Sequence, residues 1–174
     1  ETHALDKVGA SVIREIKRGE ILRIDRDGLK TIKEGIDGPG NFCDFEWDYF
    51  SRPDSSYPTD SEDSLNPEQW KSVYTFREEC GKELSSEIFI PNASFVTGIA
   101  DSGIPLSLGF ANASHVPYRQ AILRDHYDPN GNYRLFQTDF DKESIRQKVI
   151  GKLSLVRDPK IWEDAIVVLG DDSI

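Results

Sequence analysis

Ala165-Ile166-Val167-Val168-Leu169-Gly170-Asp171-Asp172-Ser173 is the stretch on which the fold turns. Ala165 to Leu169 is a short apolar run rich in β-branched residues. That is too short for a buried helix and suits a strand covered on both faces, as in a parallel sheet. Two carboxylates in succession at the end of such a strand are costly to desolvate unless something binds them. The vicinal hydroxyls of a ribose, or a divalent cation, are suitable partners. A solvated strand end is the other reading, and the residues alone leave both open.

Working backward, Ser94 to Ile99 is a second short apolar strand. It runs into Ala100-Asp101-Ser102-Gly103 and then a helix from Pro105 to Ala113. Strand, tight loop and helix N-terminus in that order offer backbone N–H groups and a favourable dipole to an anion. A plain turn in which Asp101 or Ser102 caps the helix accounts for the same residues. Ligands in open parallel sheets bind outside the carboxyl ends of the strands, so these two strand ends are the candidate site.

Between them Val116 to Leu123 reads as a strand, Asp125 to Phe140 as a polar stretch broken at Pro129-Asn130-Gly131-Asn132, and Lys142 to Leu153 as a helix. Upstream, Glu68 to Glu87 reads as a helix with Trp70, Val73, Tyr74, Cys80 and Leu84 near one face, which makes Cys80 a packed core thiol. Helices alternating with strands from residue 68 onward argue for a parallel sheet covered by helices.

The N-terminal part differs. Ser11 to Lys17, Glu20 to Asp25 and Leu29 to Lys33 alternate in polarity around turns at Arg18-Gly19 and Asp27-Gly28, which predicts a β-meander over 11–34. Gly35 to Gly40 is a breaker cluster and the linker candidate. Phe42 to Phe50 alternates aromatic and acidic residues, which suggests a half-buried strand, and Ser51 to Pro67 is an acidic loop.

Composition limits the partners. Of the 174 residues, 31 are Asp or Glu against 21 Lys or Arg, a net charge of −10. A chain this acidic is a poor binder of nucleic acid or an anionic membrane, though it can hold a phosphorylated small ligand through local backbone donors or a metal ion. No apolar run approaches the roughly 20 residues that span a bilayer. Cys43 and Cys80 have no C-x-x-C spacing, and Glu1 to Lys7 is polar rather than a signal peptide. Free thiols in a reducing cytoplasm are the expectation.

Several blocks in the same order resemble the amidophosphoribosyltransferase family. Val167 to Ile174 is similar to the first half of the phosphoribosylpyrophosphate signature of type I phosphoribosyltransferases, with Leu155-Val156-Arg157-Asp158 upstream of it. Asp101-Ser102-Gly103-Ile104-Pro105, Leu108-Gly109-Phe110-Ala111 and Val116-Pro117-Tyr118 resemble the family's pyrophosphate loop and the segment after it. Phe45-Glu46-Trp47-Asp48-Tyr49-Phe50-Ser51-Arg52-Pro53-Asp54-Ser55 is similar to another family block, and Val73-Tyr74 and Gly81-Lys82-Glu83-Leu84 continue it. Glu1 to Asp6, Gly9-Ala10 and Gly19-Glu20-Ile21 resemble the last strands of a glutaminase domain.

The resemblance implies an α/β chain: a type I phosphoribosyltransferase fold over 41–174, its parallel sheet flanked by helices, after a β-meander remnant of an Ntn-hydrolase glutaminase domain and linker over 1–40. It implies that ammonia from glutamine displaces pyrophosphate from magnesium phosphoribosylpyrophosphate, giving 5-phosphoribosylamine in the first step of purine biosynthesis. In that scheme Ala100, Asp101, Ser102 and Gly103 hold the pyrophosphate. Asp171 and Asp172 bind the ribose hydroxyls and orient Mg2+, with Ser173 beside them. Asp125 to Phe140 closes over the substrate, bringing Arg124, His126, Tyr127 and Arg134 to it. A homo-oligomeric parent is implied too.

There are departures. The family's Lys-Asn-Arg-Tyr is Arg124-Asp125-His126-Tyr127 here, extra residues lengthen the loop around Pro129 to Asn132, and Ile99-Ala100 stands where the family has Val-Pro. His3 replaces a residue that is often Cys; it and His115 read as structural or surface residues. Cys43 stands where an iron–sulfur ligand occurs in some members, but one cysteine cannot hold a cluster, so it reads as a buried structural thiol. The family's nucleophilic cysteine and its Arg-Gly-Thr-Thr run are not among these residues, so the chain by itself is expected to be inactive. A non-catalytic binding or regulatory relative is the alternative, and a purine-base transferase a third that leaves residues 1–22 unexplained.

Overall fold

The computed structural model describes residues 1–36, 43–59, 66–125 and 141–172. They fall into two compact units, Glu1–Phe76 and Arg77–Ile174.

The first unit opens with a short helix, α1 (Thr2–Lys7), where the sequence suggests none. It is tied down by side chains: Thr2 Oγ1 accepts from the Ser56 N–H at 2.9 Å, and His3 Nδ1 lies 3.0 Å from Ser55 Oγ. His3 is therefore structural. Strands β1 (Ile21–Asp25) and β2 (Gly28–Lys33) form an antiparallel hairpin in which Ile24 pairs with Leu29 across the Arg26-Asp27 turn.

The first strand of the expected meander is absent: Ser11 to Lys17 is irregular, and Arg18 makes a single bridge to Ile36. The local donors go elsewhere. The Glu20 carboxylate accepts from Arg14 (2.6 and 2.9 Å), from the Lys17 N–H (2.9 Å) and from Thr31 Oγ1 (3.2 Å). Of the linker candidate only Gly35 and Ile36 lie within the described residues.

The strand expected over Phe42–Phe50 is, from Asp44 onward, instead a helical turn, with Glu46–Phe50 in wide π geometry; Phe42 lies outside the described residues. Period-two alternation misleads here because only Trp47 is buried, while Phe45, Tyr49 and Phe50 are exposed. The turn closes on Ser51, whose N–H donates to the Glu46 carbonyl at 3.2 Å and whose hydroxyl donates to the Glu46 carboxylate at 2.7 Å. Trp47 packs against Tyr57 and Phe76 at 5.6 and 5.2 Å between centroids. The expected acidic loop contains a short strand, β3 (Ser56–Tyr57), paired with β4 (Lys71–Ser72). That pairing, and a 3-10 turn at Pro67–Gln69 capped by Asn66, delay the next helix, α2, to Val73–Glu87. Trp70 therefore precedes the helix, Tyr74 is exposed and Cys80 is half-buried rather than a core thiol.

The second unit is the α/β part. Strand β5 (Phe95–Gly98), buried throughout, pairs in parallel with β8 (Val167–Gly170). On its other side Val96 accepts the Arg119 N–H and donates to the Pro117 carbonyl, both at 2.9 Å, extending the parallel arrangement by one bridge at Tyr118. The strand expected over Val116–Leu123 is otherwise reduced to β6 (Ile122–Arg124), which turns antiparallel to β7 (Leu153–Leu155). Helix α3 (Ile104–Ser114) lies against β5, and the core joins Val96, Phe110 and Ala111 with Leu84, Val116, Tyr118 and Val168. Helix α4 (Lys142–Lys152) runs directly into β7. The one-turn α5 (Pro159–Trp162) carries Trp162 edge-on to Phe95 at 5.7 Å.

Two glycines let α2 meet α3 backbone to backbone. A Cβ on Gly81 would strike the Leu106 carbonyl, and one on Gly109 the Glu78 carbonyl. That approach fixes which α2 residues reach the end of the sheet.

Candidate active site

The parallel register brings the two strand ends side by side. Phe95 pairs with Val167, and the ladder ends at Gly98 opposite Gly170. The Ile99 N–H donates to the Gly170 carbonyl at 2.9 Å, so Ala100-Asp101-Ser102-Gly103 starts where Asp171-Asp172 starts. The loop then folds tightly: the Gly103 N–H donates to the Ile99 carbonyl at 2.9 Å, and the Ala100–Asp101 peptide is cis.

Neither Asp101 nor Ser102 caps α3. Its N-cap is Gly103 and no side chain caps it; the Ile104 N–H donates to the Asp101 carbonyl at 3.4 Å, Pro105 has no N–H, and the Ser107 N–H donates to the Gly103 carbonyl at 3.1 Å, so the donors left for a ligand are chiefly those of the loop itself. Asp101 is engaged elsewhere: its Oδ2 accepts from Arg124 Nη1 at 2.9 Å, across from the end of β6. That contact joins two of the residues singled out from the sequence, since Arg124 reaches the loop from another element.

On the β8 side, the Asp172 N–H donates to Asp171 Oδ1 at 2.9 Å. Burial pushes the Asp171 carboxyl up to about 6, and the adjacent Asp172 charge adds to this; the Asp172 N–H opposes it. A carboxylate held in so unfavourable a place gains from any cation or hydroxyl donor that arrives. The Asp172 side chain is 7% exposed and faces Arg77, with Nη1 3.9 Å from Oδ2.

Arg77 is the residue that sequence reading passed over. It lies between the segments Val73-Tyr74 and Gly81-Lys82-Glu83-Leu84. A signal was available: with Val73, Gly81 and Leu84 at helical spacing on the inner face, position 77 falls on the same stripe, and an arginine there must find a counter-charge. His126, Tyr127, Arg134 and Ser173, four other site candidates, lie outside the described residues, as does all of the 125–140 loop after Asp125. His115 is an exposed helix C-cap in the left-handed region, φ 60°. Cys43 is exposed rather than buried, because the turn that comes after it buries Trp47 instead. Among the described residues there is no group of three or more His, Cys, Asp or Glu side chains that could hold a metal, and no helix long and apolar enough to cross a membrane.

Parallel strand ends bearing a helix-opening loop on one side and paired aspartates on the other are consistent with an α/β fold of the type I phosphoribosyltransferase kind. No family model matches the chain. Curated relatives do: an amidophosphoribosyltransferase of Bacillus subtilis is 34% identical over all of this chain and 33% of its own length, and one of Synechocystis is 38% identical over 73% of this chain and 23% of its own length. The chain belongs to the amidophosphoribosyltransferase family, and it spans about a third or less of the length of these relatives. Solved structures agree. The glutamine phosphoribosylpyrophosphate amidotransferase of B. subtilis, complexed with ADP and GMP, superimposes with a TM-score of 0.70 at 34% identity over 100% of this chain and 34% of that one. A second, described as the allosteric regulatory enzyme of purine biosynthesis, gives 0.65 at 27% identity over 99% of this chain and 39% of that one.

Proposed function

We propose that this chain supplies the phosphoribosylpyrophosphate site of an amidophosphoribosyltransferase, in which ammonia released from glutamine displaces pyrophosphate to give 5-phosphoribosylamine. The observation that carries the reading is the register of β5 on β8, which sets the Ala100–Gly103 loop beside Asp171-Asp172. Each half alone is a common turn. Together they offer N–H groups for a pyrophosphate and carboxylates for the adjoining ribose diol, at one end of one sheet.

The roles come from chemistry. The backbone of the 100–103 loop binds the pyrophosphate, and Arg124 adds a charge to it. Asp171 and Asp172 accept hydrogen bonds from the ribose hydroxyls and orient the magnesium that accompanies the substrate. The donor set fits that arrangement: two carboxylates, one of them with its ionised form disfavoured, and among the described residues no group of three or more ligands that would hold the ion without substrate. Magnesium supplies charge neutralisation to the departing pyrophosphate. His126, Tyr127 and Arg134 act from the 125–140 loop once substrate is bound. Residues 1–40 belong to the glutaminase part and its linker, and 41–174 to the transferase. The exposed apolar side chains of the first unit, Ile13, Ile16, Ile21, Ile24 and Ile32, support the former assignment, since such a surface calls for a cover. The setting proposed is cytoplasmic, with a homo-oligomeric enzyme.

The test is titration calorimetry of magnesium phosphoribosylpyrophosphate into the chain, together with ammonia-dependent pyrophosphate release by the full-length enzyme. The expected result is binding that weakens when either Asp171 or Asp172 is replaced by Asn, and turnover in the full-length protein. Binding without turnover at full length selects the non-catalytic module. No binding at either length overturns the site.

A further inference from the structure

We infer that Arg77 is a positioning residue for the substrate site: its buried guanidinium, reaching β8 from α2, fixes the Asp172 carboxylate in the orientation that receives the ligand. This rests on the reading of Asp172 as a ligand-binding group. The guanidinium is 2% exposed and the Asp172 side chain 7%, with Nη1 3.9 Å from Oδ2. Buried arginine is rare without a counter-charge, and Asp172 Oδ2 is among the groups this one reaches.

The scaffold holds the arginine still. Gly81, one turn further along the same face of α2, sits against the Leu106 carbonyl, and Gly109 of α3 sits against the Glu78 carbonyl. The beginning of α3 is in turn set on β8, because a Cβ on Gly103 would stand 2.5 Å from the Gly170 carbonyl. Arg77 is thus mounted on a helix whose distance from the strand end is fixed by backbone contacts. The backbone N–H of Asp172 is turned to Asp171. A buried guanidinium nitrogen 3.9 Å from one oxygen attracts it by charge, which orients the carboxylate and leaves the other oxygen to accept a hydroxyl. Asp171 and Asp172 are then unequal: Asp172 faces the buried Arg77, and Asp171 is half-buried with its Oδ1 engaged by the Asp172 N–H.

The experiment uses the full chain with Arg77→Met, Arg77→Lys, Asp172→Asn and the Arg77→Met/Asp172→Asn double variant, each checked for folding by circular dichroism. One arm titrates magnesium phosphoribosylpyrophosphate. Arg77→Met weakens binding about tenfold or more, Arg77→Lys recovers it to within about threefold, and in the Asp172→Asn background Arg77→Met adds nothing further. A purely structural arginine gives an equal loss in both backgrounds, and that result overturns the inference. The second arm is amide relaxation in the absence of ligand. Order at Asp171 and Asp172 falls in Arg77→Met and returns in Arg77→Lys; unchanged order overturns it. If neither the unaltered chain nor the full-length enzyme binds, the functional reading fails while the relaxation arm still decides whether Arg77 braces Asp172. Should Arg77→Met not fold, Arg77→Gln, which keeps donors without charge, takes its place in both arms.

Discussion

Gly98 and Gly170 are register partners at the last rung of β5 and β8, and Gly103 folds over both. A Cβ on Gly98 would lie 2.7 Å from the Gly103 carbonyl oxygen, and one on Gly103 would lie 2.5 Å from that of Gly170. The obstacles are backbone atoms, which cannot swing aside as a side chain can. The glycines are what allow the anion loop and the aspartate pair to share one edge.

Gly103→Ala and Gly98→Ala should therefore each destabilise the chain by about 1–3 kcal/mol, the usual range for overpacking. Gly103→Ala should also displace the loop from β8. Urea unfolding measures the first effect, and backbone shift changes at Asp171 and Asp172 measure the second. A Gly103→Ala chain of unaltered stability, with unmoved signals at Asp171, would mean that the loop is not packed on the strand end.

Asp171 gives a pH signature. Its carboxyl is raised to about 6 from an ordinary 3.8, so between those values the folded chain holds a proton that the unfolded chain has lost. Stability then falls as pH rises from about 4 to about 6 and remains lower above, the reverse of a salt-bridged carboxylate. Asp171→Asn should remove that decline. At pH 7.5 it should be more stable than the unaltered chain, on the order of 1 kcal/mol once solvent screening of a half-exposed group is allowed for, and no more stable at pH 4. Thermal unfolding at the two pH values, in magnesium-free buffer, provides the comparison.

Glu20 has the opposite sign. Its carboxyl is depressed to about 2 from 4.5, chiefly by the hydrogen bond from Arg14, with the Lys17 N–H next. Its contribution to the hairpin is complete above about 4.5 and is lost as pH falls toward 2. Glu20→Gln should alter the spectrum around Arg14 and Thr31 at pH 7 and also at pH 3, where the folded carboxylate is still ionised; in the unaltered chain those signals should move only as pH falls toward 2. Arg14 and Thr31 signals that Glu20→Gln leaves unmoved at both pH values would show that the carboxylate does not organise this turn.

Which features were legible in the sequence depends on which forces are local. Helix α3 and strands β5 and β8 were placed to within a few residues, because apolar runs between glycines report burial directly. The pairing of Asp171-Asp172 with the 100–103 loop was legible only through the family blocks, since nothing local fixes register between strands some seventy residues apart in sequence. The readings that failed were short segments decided by side chains. Ser11 to Lys17 lost its donors to Glu20, Asp44 to Phe50 coiled around Trp47, and the start of α2 was deferred by the β3–β4 pairing. Arg77 escaped notice because a charge on a buried helical stripe acquires meaning only once its distant partner is known.

The pair Arg124–Asp101 supplies the last prediction. Its atoms are 2.9 Å apart, but the side chains are 37% and 56% exposed, so water and salt screen the attraction. Exposed pairs of this kind contribute about 0–1 kcal/mol, and Arg124→Gln should cost no more than that in stability. Its effect on anion binding should be larger, because a pyrophosphate carries several charges and competes with the single Asp101 carboxylate for the same guanidinium. Hydrogen bonds to charged groups are worth about 1.5–3 kcal/mol, so losing one should weaken inorganic pyrophosphate binding by roughly tenfold or more. Asp101→Asn should act the other way, freeing the arginine and removing a repulsive charge from the loop. Calorimetry with inorganic pyrophosphate at low ionic strength, repeated with added salt, reads both variants. If Arg124→Gln binds as tightly as the unaltered chain while Asp101→Asn gains nothing, the anion does not meet Arg124, and the loop would hold it through backbone donors alone.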